Sequence, residues 1–109
     1  MQYPHAGSPA VAARVLALLA AAGIDAAGTA RGPDHGVFAP FTCMFHPAAN
    51  PLGVPLVQVS LFDSESADQH YALGAALQQL RSEGVVVIAS GMAVHNLRWA
   101  CAAASRVRA

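Results

Sequence analysis

The stretch Gly84-Val85-Val86-Val87-Ile88-Ala89-Ser90-Gly91-Met92-Ala93-Val94-His95-Asn96-Leu97-Arg98 decides how the chain is read. Its apolar run, residues 85–89, lies between Gly84 and Ser90-Gly91. Three consecutive valines and an isoleucine suit a strand buried on both faces. Such a strand belongs inside a parallel sheet. In open α/β sheets the chemistry gathers where loops leave the carboxyl ends of strands, so the loop over residues 90–96 puts His95 where a working imidazole would sit.

Working outward, the residues before this run read as a helix. Asp63, Ser64, Glu65 and Ser66 form a start signal, Tyr71, Leu73, Ala76, Leu77 and Leu80 make an apolar stripe, and Gly84 is a stop. A strand over 56–61, with Gln58 and Ser60 partly alternating, precedes that helix. Strand, helix and strand in this order predict a right-handed crossover. Near the start, Ser8 and Pro9 make a cap and first turn, Val11, Val15, Leu18, Leu19 and Ala22 repeat at helical spacing, and Gly23 ends the helix. Residues 24–30 read as a weak strand, poor in strand formers. The segment Arg31-Gly32-Pro33-Asp34-His35-Gly36 is a turn by composition. The all-round apolar stretch 37–45 reads as a buried helix capped by Asp34, although Pro40 leaves an extended reading open.

Composition bounds the partners. The 109 residues allow one domain, and 55% of them are apolar against 11% charged. That balance resembles the interior of something larger. Lysine is absent and six arginines offset six acidic residues, so no basic field is available for nucleic acid or an anionic membrane. The apolar run over 15–24 is shorter than the ~20 residues that span a bilayer, and it reads as helix rather than leader or anchor. Cys43 and Cys101 stand far apart with no metal-type spacing, so they read as buried thiols of a cytoplasmic protein.

Two motifs and the segments between them resemble the class III extradiol ring-cleaving dioxygenases, in their DOPA dioxygenase-like branch. Ser90-Gly91-Met92-Ala93-Val94-His95-Asn96-Leu97-Arg98 is similar to that family's S-G-x-x-V/T-H-N-L-R. Asp34-His35-Gly36-Val37-Phe38-Ala39-Pro40 is similar to its D-H-G segment followed by an aromatic and a proline. Residues 55–61 and 70–85 match a strand and a helix of the same family, so the likeness covers roughly positions 3–98. It implies an α/β fold with a parallel or mixed central sheet and helices on both faces, residues 1–99 being part of a larger single domain and 100–109 a divergent tail.

The resemblance also assigns roles. His95 is implied as the catalytic imidazole that handles the protons of a catecholic substrate, and in this branch as a metal ligand too. A side chain titrating near ~6.5 is suited to either. His35 is implied in the same pocket, as a donor to substrate or oxygen. Asp34 has two readings, a helix cap, which is preferred, or the carboxylate that orients His35. Asn96 either positions substrate or caps the following helix, and Arg98 reads as structural. His5, His46 and His70 read as surface or cap residues. The cofactor implied is Fe(II) or Zn(II), with an incomplete ligand set in this chain, since the family's other ligands have no match here. The expected function is extradiol opening of an aromatic diol by O2, the chain being inactive alone. The alternatives are a non-catalytic α/β module that pairs with a complete copy, and an unrelated small α/β binding protein. The exposed sheet edges expected of a partial domain point to a homo-oligomer or a complex with a complete subunit.

Overall fold

The computed structural model describes residues 3–64 and 66–91. Three α-helices and a 3₁₀ turn make up the regular structure there: α1 (Pro9–Ala21), α2 (His35–Met44), α3 (Ala67–Leu77) and the 3₁₀ turn Gln78–Glu83 that continues α3.

The helix ends follow local chemistry. Ser8 Oγ accepts from the Val11 N–H at 3.2 Å, Pro9 occupies the first turn, where no N–H is needed, and Gly23 leaves the helix at φ +74°. Ser66 caps α3 through the Gln69 N–H at 3.3 Å, and Gly84 closes the 3₁₀ turn in the left-handed region at φ +78°.

The core forms where α1 meets α3 and its 3₁₀ extension. Val15, Leu19, Leu73, Leu77 and Leu80 are buried together, with Val11, Leu18, Val59, Phe62 and Val85 packed against them. Leu73, Ala76, Leu77 and Leu80 recur at three- and four-residue spacing and therefore share one face. Tyr71, read as part of that stripe, is 81% exposed. Standing two residues before Leu73, it points to the opposite side of the helix. A second, smaller cluster ties α2 to the start of the chain. Tyr3 and Phe41 are buried edge to face at 6.1 Å, and the Tyr3 hydroxyl donates to the Phe45 carbonyl at 2.9 Å.

Arg14 on α1 fastens the far end of the helical pair by donating Nη2 to Glu83 Oε1 at 2.6 Å and Nε to Oε2 at 3.0 Å. The hydrogen bond from Arg14 holds the Glu83 carboxyl below its usual range, against a smaller desolvation effect. Because the folded value is depressed, the pair's contribution is present above the unfolded pKa and fades as pH falls through the folded one. Both groups face solvent, so that contribution is small.

Gly74 lies in the interior of α3, and a Cβ added there meets nothing within 4 Å. Gly74→Ala is expected to raise stability by about 0.5–1 kcal/mol, read as a higher urea midpoint at unchanged slope.

The expected central sheet is not found. Among the described residues there is no strand, and segments 24–30, 56–61 and 85–89 carry no regular secondary structure. A ladder needs successive paired backbone bonds. Here one bond, from the Leu56 N–H to the Ala6 carbonyl at 2.8 Å, joins the opening segment to the stretch that follows Pro55. Nor is the valine run buried on both faces: Val86, Val87 and Ile88 are 82%, 50% and 54% exposed, and only Val85 reaches the core. The α/β assignment with a parallel or mixed sheet is therefore corrected to a helical arrangement. Its expected crossover is lost with it, because the apolar run pairs with no strand among the described residues. The stretch 37–45 is helical as far as Met44, with Phe45 as the cap, but it is not a buried helix. Phe41 is its one buried side chain, and Cys43, expected inside, is exposed. Cys101 and the tail over 100–109 lie outside the described residues.

Candidate functional site

The turn that leads into α2 gathers the described part of the site. Asp34 stands at the N-cap position with extended backbone, φ −81° and ψ 180°, yet its side chain makes no capping bond. The carboxylate turns instead to Gln58, whose Nε2 donates to Oδ2 at 3.0 Å, while the Asp34 N–H donates to Gln58 Oε1 at 2.9 Å. Neither of the two sequence readings of Asp34 describes this contact. A reciprocal amide pair with a distant segment has displaced the local cap.

His35 follows as the first residue of α2. It is exposed, and its imidazole packs edge to face on Phe38, one turn on, with centroids 5.1 Å apart. No hydrogen bond from the ring is found among the described residues. The imidazole therefore keeps both nitrogens available to a bound molecule. On its other side the Gly36 carbonyl accepts from Ser90 Oγ at 2.5 Å. Ser90 opens the segment that runs on to His95, so the His35 turn and the beginning of the His95 loop meet at Gly36.

His95, Asn96 and Arg98 lie outside the described residues. The remaining histidines are used locally. His70 Nδ1 lies 2.7 Å from the Ser66 carbonyl oxygen, His5 Nδ1 lies 2.9 Å from that of Tyr3, and His46 Nδ1 accepts from the Ala48 N–H at 3.3 Å.

Two residues that the sequence reading did not single out for function, Gln58 and Ser90, hold the site turn. A signal for each was present. Gln58, with Ser60, is a polar residue inside a mostly apolar run. Pro40, having no N–H, cannot serve the carbonyl four residues before it, which is that of Gly36.

The described residues do not fit a metal. No group of three His, Cys, Asp or Glu side chains converges among them, and the Asp34 carboxylate is engaged by Gln58. No helix among them is long and apolar enough to cross a membrane.

Histidine is the side chain enzymes use most often to move protons, and the described turn carries one at the start of α2. Comparison with known proteins gives the chain a family. A model described as the catalytic LigB subunit of aromatic ring-opening dioxygenase matches residues 1–106. The chain belongs to this family of ring-opening dioxygenases. It is 40% identical over 101 residues to the dioxygenase tasH of Hapsidospora irregularis, covering 90% of this chain and 30% of that protein. To the 4,5-DOPA dioxygenase extradiol of Escherichia coli (strain K12) it is 41% identical over 96 residues, covering 88% of this chain and 34% of the relative. The enzyme of the same name from Beta vulgaris is 40% identical over 96 residues, with 86% and 34% covered. The chain thus spans about a third of the length of the curated relatives it matches. No solved structure matches it significantly. Metal dependence comes with the family.

Proposed function

We propose that this chain supplies part of the active site of an extradiol dioxygenase acting on an aromatic diol, with O2 as the second substrate. The observation that carries the proposal is the match over residues 1–106, which takes in both His35 and His95, joined to the Ser90–Gly36 contact between their two segments. In this reading His95 accepts a proton from the diol and returns it as the ring opens. The exposed His35 donates to an oxygen of the substrate. Asn96 orients the diol, and Asp34 acts on the site through the turn it fixes rather than by touching substrate. DOPA is a candidate substrate because four matching relatives of this chain are named 4,5-DOPA dioxygenase extradiol.

The metal is proposed to be Fe(II) in preference to Zn(II), since zinc has no redox chemistry to offer dioxygen. His95 is the one residue of this chain proposed as a ligand, so the other ligands are proposed to come from parts of the protein beyond this chain. A cytoplasmic location is proposed from the free thiol of Cys43 alone.

A second reading is favoured by the apolar surface. Val86, Leu61 and Val54 are 82%, 67% and 62% exposed, which suits a module that packs on a complete dioxygenase subunit or a second copy.

The test is dioxygen uptake by the natural protein bearing this sequence, supplied with Fe(II) or Zn(II) and a 3,4-dihydroxyphenyl substrate. With Fe(II), one O2 consumed per diol is expected, together with loss of the diol absorbance. Absence of uptake with either metal counts against the catalytic reading and leaves the packing module.

A further inference from the structure

The backbone on either side of His35 is held by side chains from two other parts of the chain. Before it, the Gln58 amide meets Asp34 in one orientation only. The carbonyl end accepts from the backbone N–H at 2.9 Å and the amino end donates to the carboxylate at 3.0 Å. A flipped amide would face donor to donor and acceptor to acceptor. After it, Pro40 leaves the Gly36 carbonyl without its helical donor, and a carbonyl so orphaned needs a partner from elsewhere. Ser90 Oγ provides it at 2.5 Å. Both contacts converge on one small volume, because a Cβ on Gly36 would sit 3.4 Å from Asp34 Oδ1 and 4.0 Å from Ser90 Oγ.

We propose that Gln58 and Ser90 are positioning residues that hold His35 between them, the first through Asp34 and the second through the carbonyl that Pro40 sets free at Gly36. This role rests on the ring-opening reading of His35. With the chain fixed at both neighbours, the imidazole keeps its direction through one rotamer and its edge contact with Phe38. Ser90 lies 54 positions from Gly36, so one hydrogen bond joins two sequence-distant parts of the described chain.

The pair can be tested by exchanging its polarity. Gln58→Glu sets a second carboxylate against Asp34. The double substitution Asp34→Asn with Gln58→Glu swaps donor and acceptor at unchanged net charge, and the backbone N–H of position 34 still finds an oxygen. The readout is the NMR spectrum of the His35 ring in the full 109-residue chain, with no metal or diol present. In Gln58→Glu the His35 ring signals are expected to lose their displacement by the Phe38 ring, while the methyl signals of Leu19, Leu77 and Leu80 stay in place. In the double variant they are expected to return to their native positions. Ser90→Ala is expected to displace the same His35 signals, and Ser90→Thr, which keeps the hydroxyl, to preserve them. Unmoved His35 signals in Gln58→Glu and Ser90→Ala overturn the proposal, as does failure of the exchange to restore them. No turnover is measured, so such a failure leaves the ring-opening reading standing. An inactive protein with native His35 signals counts against that reading alone.

Discussion

Replacing His95 with alanine is expected to lower the turnover of an aromatic diol by roughly 10²–10⁴-fold, the usual worth of a positioned proton-transfer group. The fall should appear in kcat and in kcat/KM together, because an imidazole that moves a proton acts in the transition state more than in substrate binding. His35→Ala should lose less and raise KM as well, since the hydrogen bond proposed from His35 to the substrate would be made in the ground state too. His46→Ala and His70→Ala serve as controls. Their imidazoles lie against local backbone atoms, 3.3 Å from the Ala48 nitrogen and 2.7 Å from the Ser66 oxygen, so turnover should be unchanged within twofold. Equal losses across all four variants would mean that the fold, and no particular imidazole, had been damaged.

The second large effect belongs to the core. Leu80 is 3% exposed in the cluster that joins α1 to α3, and Leu80→Ala is expected to cost about 2–5 kcal/mol through lost transfer energy and the cavity left behind. Against a total stability of about 5–15 kcal/mol for an ordinary domain, that is a large share. Here five buried residues carry the cluster, so the unfolding transition should move far toward low urea or vanish. Leu61→Ala removes the same side chain where it is 67% exposed, and should change stability by no more than about 0.5 kcal/mol. Comparable losses at the two positions would contradict the placement of the core.

Much of the helical structure could be read in advance, and the reason is locality. Ser8 with Pro9, the stop at Gly23, the start at Ser66 and the stop at Gly84 are signals whose cause lies within four residues of their effect. The valine run was a different matter. Its composition states a preference for burial but does not carry the partner that a strand requires, and among the described residues the run stays unpaired and largely exposed.

The site divides along the same line. Asp34, His35 and Gly36 form a turn by composition, and the family resemblance gave them a purpose. The polarity of Gln58 was visible but its partner was not, because Gln58 stands 24 positions from Asp34 and Ser90 stands 54 from Gly36. A side chain's long-range partner leaves little trace in its immediate neighbours. Pro40 was the exception, as the missing N–H of a proline inside a helix foretells an unserved carbonyl at a known position.

Titration of a simple aromatic diol into the chain, followed by NMR of the five histidine rings, tests most directly that one site unites the two motifs. The His35 and His95 signals are predicted to move together along a single binding curve, while those of His5, His46 and His70 stay still. Separate curves for His35 and His95, or movement confined to the other three rings, would contradict it.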